Sequence, residues 1–118
     1  MRILLAVCLV LFGATAGFAE TVKPLVEDCK AYPPKFSRSY ASGQSEGRCL
    51  GVIKTMIAVG PFLTKDMKFC PGEAAPIVGV DVVNRYVKAH PEVLKPDGPD
   101  GDLLVTLVTA FREEWPCK

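Results

Sequence analysis

Four cysteines, Cys29, Cys49, Cys70 and Cys117, stand 20, 21 and 47 positions apart along the chain, and no two of them form a Cys-x-x-Cys pair. Zinc sites draw their ligands from close pairs, so this spacing points to disulfides rather than to a metal. Three connectivities satisfy the count. Pairing Cys29 with Cys49 pins a short N-terminal helix to the main helix, and pairing Cys70 with Cys117 pins the chain end to an irregular crossing. These are the expected links. Each contributes about 3 to 4 kcal/mol for loops of this size on a chain-entropy argument.

A fifth cysteine, Cys8, lies within a different kind of segment. Met1 and Arg2 give a positive start, Ile3 to Phe12 form an apolar run, and Gly13 to Ala19 are small residues broken only by Phe18. That order is the secretory signal-peptide pattern. The apolar run is too short for the roughly 20 residues of a membrane-spanning helix. The expected cut follows Ala19, with a second choice after Ala16. Residues 1–19 are then a signal peptide and residues 20–118 one helical domain, secreted with no stable membrane insertion after cleavage. Removing nineteen of 118 residues leaves 99 and an even cysteine set, in a compartment where disulfides persist.

Fourteen basic and thirteen acidic side chains give the whole chain a formal charge of +1. Nothing in that balance makes a field for phosphates, so no nucleic-acid partner is expected.

Leu25, Val26, Cys29 and Tyr32 recur at helical spacing, and the period predicts a first helix over Val22 to Tyr32, stopped by Pro33-Pro34. Lys35 to Gly47 has no period and reads as a loop. A second helix is expected from near Ser45, with Cys49, Leu50, Ile53, Met56 and Ile57 as its apolar stripe, ending at Gly60-Pro61. Thr64 to Gly79 contains several glycine and proline breaks and reads as an irregular crossing. Asp81 is placed to cap a third helix that ends at His90-Pro91. Pro91 to Gly101 reads as a rigid loop, after which Asp102 caps a last helix carrying Leu103, Leu104, Leu107, Val108, Phe111 and Trp115. The expected fold is all-α: a compact bundle of four to five short helices stapled by two disulfides. Leu50, Ile53, Met56, Ile57, Leu104, Leu107, Val108 and Phe111 are its expected core.

Reactive groups are scarce. His90 is the single imidazole, and its place at a helix end gives it a capping role against the last carbonyls. Paired cysteines leave no thiolate nucleophile. Asp97, Asp100 and Asp102 lack the glycine and distal glutamate of a calcium loop and suit turns and a cap. Ser42 to Gly47 lacks the spacing and lysine of a phosphate loop. Lys65, Lys68, Arg85 and Lys88 form a modest basic group read as a solvated face. No enzyme, cofactor or metal is expected.

Cys49-x-Gly51-x-Ile53, Phe69-Cys70-Pro71, Val82-Val83-x-x-Tyr86-Val87-x-x-His90-Pro91-Glu92, Ala110-Phe111 and Trp115-Pro116-Cys117 together resemble the Rap/Tai family of type VI secretion immunity proteins. The likeness spans Cys29 to Cys117. It implies a small helical, disulfide-bonded periplasmic protein, commonly a homodimer, that binds and inhibits a peptidoglycan amidase effector delivered by another bacterium. The alternative reading is a small periplasmic binding or chaperone-like stress protein.

For an inhibitor, the expected recognition element is Pro91 to Gly101. Its prolines restrict the unbound ensemble, so less entropy is lost on docking. Lys95, Asp97 and Asp100 are expected to meet the partner there, with Leu94 as either an apolar anchor or a core plug.

Overall fold

The computed structural model describes residues 20–30, 40–95 and 102–118. Four α-helices follow one another: α1 (Val22–Lys30), α2 (Tyr40–Val59), α3 (Pro76–Ala89) and α4 (Leu103–Glu114). Short 3-10 turns, Gly60–Phe62 and Pro91–Leu94, close α2 and follow α3. The described residues hold no strand beyond an isolated bridge between Thr21 and Asp102. The all-α bundle and both disulfides, Cys29–Cys49 and Cys70–Cys117, are as the sequence predicts.

α2 packs on α1 and α3, α3 meets each of the other three helices, and α4 lies on α3 and also meets α1. Each helix contributes one apolar face. Val22, Leu25 and Val26 come from α1, Ile53 and Met56 from α2, Val80, Val83 and Val87 from α3, and Leu107, Val108 and Phe111 from α4. Phe69, on the crossing between α2 and α3, is fully buried. Its ring lies 5.2 Å from that of Phe111, and Gly60 is the residue that admits it, because a Cβ there would clash with one edge of the Phe69 ring. The two aromatic rings thus form the centre on which the crossing, α2 and α4 converge.

Two helix starts differ from expectation. α2 begins at Tyr40 rather than near Ser45. Gly43 and Gly47 each cost about 1 kcal/mol of helix propensity, but extending a helix already nucleated adds one hydrogen bond per residue fixed. The Cys29–Cys49 disulfide and the Arg48–Asp28 ion pair at 3.4 Å hold this segment against α1.

α3 begins at Pro76, not at Asp81. Proline is favoured in the first helical turn, where its missing N–H would have no partner. Gly79 is not a break. It sits inside the helix where α3 presses on α2. Asp81 therefore caps nothing and instead pairs with Arg85 one turn later, at 2.9 Å.

Asp102 caps α4 as expected, its Oδ1 accepting the Val105 N–H at 3.0 Å. Among the expected core residues, Leu50 and Ile57 are partly buried against the core, and Leu104 is 50% exposed. Leu104 falls outside the stripe because α4 turns Leu107, Val108 and Phe111 inward, with Thr106 and Ala110 beside them. Leu103, one position earlier, is the residue that packs against the core.

Candidate functional site

The end of α3 carries a cluster of polar side chains. Tyr86 and His90 stand one turn apart, with ring centroids 4.4 Å apart and planes inclined by 32°. The His90 N–H donates to the Tyr86 carbonyl at 2.9 Å, so His90 is the C-cap. Its backbone, at φ −125° and ψ 65°, has left the helical region, as a residue before proline must. The cap is made through the backbone, while the imidazole turns the other way: Nδ1 lies 3.1 Å from Glu92 Oε1.

The same closure recurs at the end of α4. The Trp115 N–H donates to the Phe111 carbonyl at 2.8 Å, the two rings lie 5.1 Å apart, and Pro116 follows. Trp115 ends at φ −126° and ψ 63°, nearly the backbone of His90. Two helices therefore end on a stacked i, i+4 ring pair followed by proline.

Beyond His90 the chain makes the Pro91–Leu94 turn, braced by Val93 N–H to His90 O at 3.2 Å and Lys95 N–H to Glu92 O at 3.1 Å. Val93 is buried at 5% exposure and anchors the turn, leaving Pro91, Glu92 and Lys95 at the surface. The Glu92 carboxyl is held below the usual carboxylate range, first by its own backbone N–H and then by the neighbouring His90; its hydration loss opposes the shift.

Arg85 ties this region to α4. Its Nε donates to Asp81 at 2.9 Å and its Nη2 lies 3.3 Å from Glu114 Oε1. These two carboxylates hold the guanidinium above its ordinary value, the Asp81 hydrogen bond being the largest single cause. A groove of about 430 Å³ between α3 and α4 is lined by Arg85, Tyr86, His90, Glu113 and Glu114 among others.

Of the residues expected at a recognition site, Lys95 is exposed and Leu94 is half-buried against the core, the plug rather than the anchor. Asp97 and Asp100 lie outside the described residues. The expected basic group does not stay together: Arg85 is engaged by two carboxylates, whereas Lys65 and Lys68 line a separate hollow with Arg112 and Lys118. Sequence reasoning missed the Glu92 and Glu114 contacts. The Asp81/Arg85 spacing of four was their one legible trace.

All four cysteines among the described residues are bonded in pairs, and those residues contain no group of three or more side chains suited to a metal. No helix among them is long and apolar enough to cross a membrane. Comparison with protein-family models, with curated proteins and with solved structures finds no match.

Proposed function

We propose that this chain is a periplasmic immunity protein that binds and inhibits a type VI secretion peptidoglycan amidase effector. The observation that supports this reading is the braced turn at Pro91–Leu94. It is anchored by buried Val93 and two backbone hydrogen bonds, and it holds Glu92 and Lys95 outward. An element ordered before contact loses little entropy on docking. Blocking a cleft requires shape and polar contacts, not a reacting group. The resemblance of the His90-Pro91-Glu92 and Trp115-Pro116-Cys117 motifs to the Rap/Tai family supplies the partner class.

The test is hydrolysis of peptidoglycan by an amidase encoded beside this gene, measured with and without one equivalent of the mature protein. Inhibition at stoichiometric concentration is expected. Replacing residues 95–100 with a Gly-Ser segment of equal length should leave the circular dichroism spectrum intact and weaken binding by about 1.4 kcal/mol or more, a factor of ten. An uninhibited amidase rejects the function. Inhibition with unchanged affinity moves the contact away from this loop.

A further inference from the structure

We propose that the hollow beside the Cys70–Cys117 disulfide binds an acidic peptide segment of a protein partner. The hollow has a volume of about 720 Å³, and its lining includes Lys65, Lys68, Arg112, Lys118 and a single acid, Glu113. Four cationic side chains against one acidic side chain is a local excess on a chain whose total charge is only +1.

The cations come from three separate pieces of chain. Lys65 and Lys68 belong to a turn in which the Met67 and Lys68 N–H groups both donate to the Thr64 carbonyl at 2.8 Å. Arg112 is in the last turn of α4, and Lys118 follows the disulfide. The Cys70–Cys117 bond and the Cys70 N–H to Trp115 carbonyl hydrogen bond at 2.8 Å bring these pieces together. A cation at the end of α4 is accounted for by the helix dipole. That account covers Arg112 alone and leaves the three lysines unexplained.

The other arginines among the described residues are satisfied internally. Arg48 faces Glu20 and Asp28, and Arg85 faces Asp81 and Glu114. None of the four cations in the hollow makes an ion pair with a described residue. Mutual repulsion among them is relieved by an anion entering from outside.

The shape selects the kind of anion. A flat lipid surface does not follow a concave wall. Compact phosphate sites use backbone N–H groups at a helix N-terminus, whereas the helix here contributes its C-terminal end. Flexible side-chain cations distributed around a volume this large suit several carboxylates carried along one peptide, with Arg112 able to engage one of them in bidentate fashion. This site is independent of the inhibitor reading, since any protein bearing such a segment fits it.

A fluorescein-labelled hexaglutamate peptide, titrated with the mature protein and followed by anisotropy, tests the proposal. Binding is expected, and it should weaken as salt rises from about 50 to about 300 mM. The double variant Lys68→Glu/Arg112→Glu should lose at least about tenfold in affinity, and Glu113→Gln should gain about twofold or more. Lys54→Glu removes a cation from a different hollow, on α2, and should leave affinity unchanged. Circular dichroism and melting verify that each variant is folded. Absence of peptide binding, or equal losses in Lys54→Glu and the double variant, overturns the proposal. So does cosedimentation with phosphatidylglycerol vesicles by a protein that ignores the peptide, because the cations would then serve a membrane surface.

Discussion

Gly79 lies so close beneath Ile53 that a Cβ on it would stand 2.5 Å from the Ile53 Cγ2 and 3.1 Å from the Ile57 Cδ1. The missing side chain is what lets α3 approach α2. Gly79→Ala should therefore destabilise the fold by about 1 to 3 kcal/mol through overpacking, despite the better helix propensity of alanine. Gly51, with nothing within 4 Å of the same added atom, is the control. Gly51→Ala should stabilise by about 0.5 to 1 kcal/mol. Urea denaturation of both variants reads the opposite signs directly, and equal signs would contradict the packing.

Burial separates the large apolar residues just as sharply. Ile53 is fully buried and Leu107 is 1% exposed, whereas Leu104 is 50% and Phe62 88% exposed. Ile53→Ala and Leu107→Ala should each cost about 2 to 5 kcal/mol. Leu104→Ala and Phe62→Ser should stay within about 0.5 kcal/mol of the parent. Ile57, only partly buried, should fall between the two groups. A Leu107→Ala variant that melted no lower than Leu104→Ala would mean that α4 is rotated about its axis.

Most of this division was legible from helical period alone. Ile53, Met56, Leu107, Val108 and Phe111 lie where the 3.6-residue stripe puts them. What period could not supply was the crossing between α2 and α3. Phe69 is fully buried there without any repeating neighbours, because a tertiary contact with Gly60 and Phe111 holds it. Pro76 and Gly79 read as breaks for a related reason: a residue that interrupts an isolated helix can start one or can pack one. Only the neighbouring helix distinguishes these roles. The candidate site divides in the same way. His90 was recognisable as a helix end from Pro91, but Glu114, which reaches Arg85 from 29 positions away in sequence, leaves no local signature.

The two disulfides close loops of different length, with sequence separations of 20 and 47. On the chain-entropy model their removal should cost about 3 and about 4 kcal/mol respectively. Cys70→Ser/Cys117→Ser is therefore expected to melt lower than Cys29→Ser/Cys49→Ser. Differential scanning calorimetry of the two double variants compares them, and the reverse order would show that native packing around α1 outweighs loop entropy.

Glu92 gives the turn after α3 a defined response to acid. Its folded carboxyl is depressed by its own backbone N–H and by His90, so the ionised form stabilises the fold above the ordinary carboxylate range. That contribution is lost as pH falls through the lower, folded value. Glu92→Gln removes it. The melting temperature of the parent should exceed that of the variant near about pH 6, and the gap should close towards about pH 3. A gap independent of pH would assign the role of Glu92 to packing rather than charge.

The bridge between Thr21 and Asp102, reinforced by the Leu103 N–H donating to the Glu20 carbonyl at 2.9 Å, orders the making of the molecule in time. A chain emerging from its N-terminus exposes α1 long before α4 exists. Cys29 can meet Cys49 within that early segment, but the clasp at Glu20 and Thr21 must wait for the last helix, and Cys117 arrives later still. The apolar side of α1 against which α4 closes is thus left uncovered until α4 is made. Whatever oxidises Cys70 and Cys117 acts only after α4 has been made.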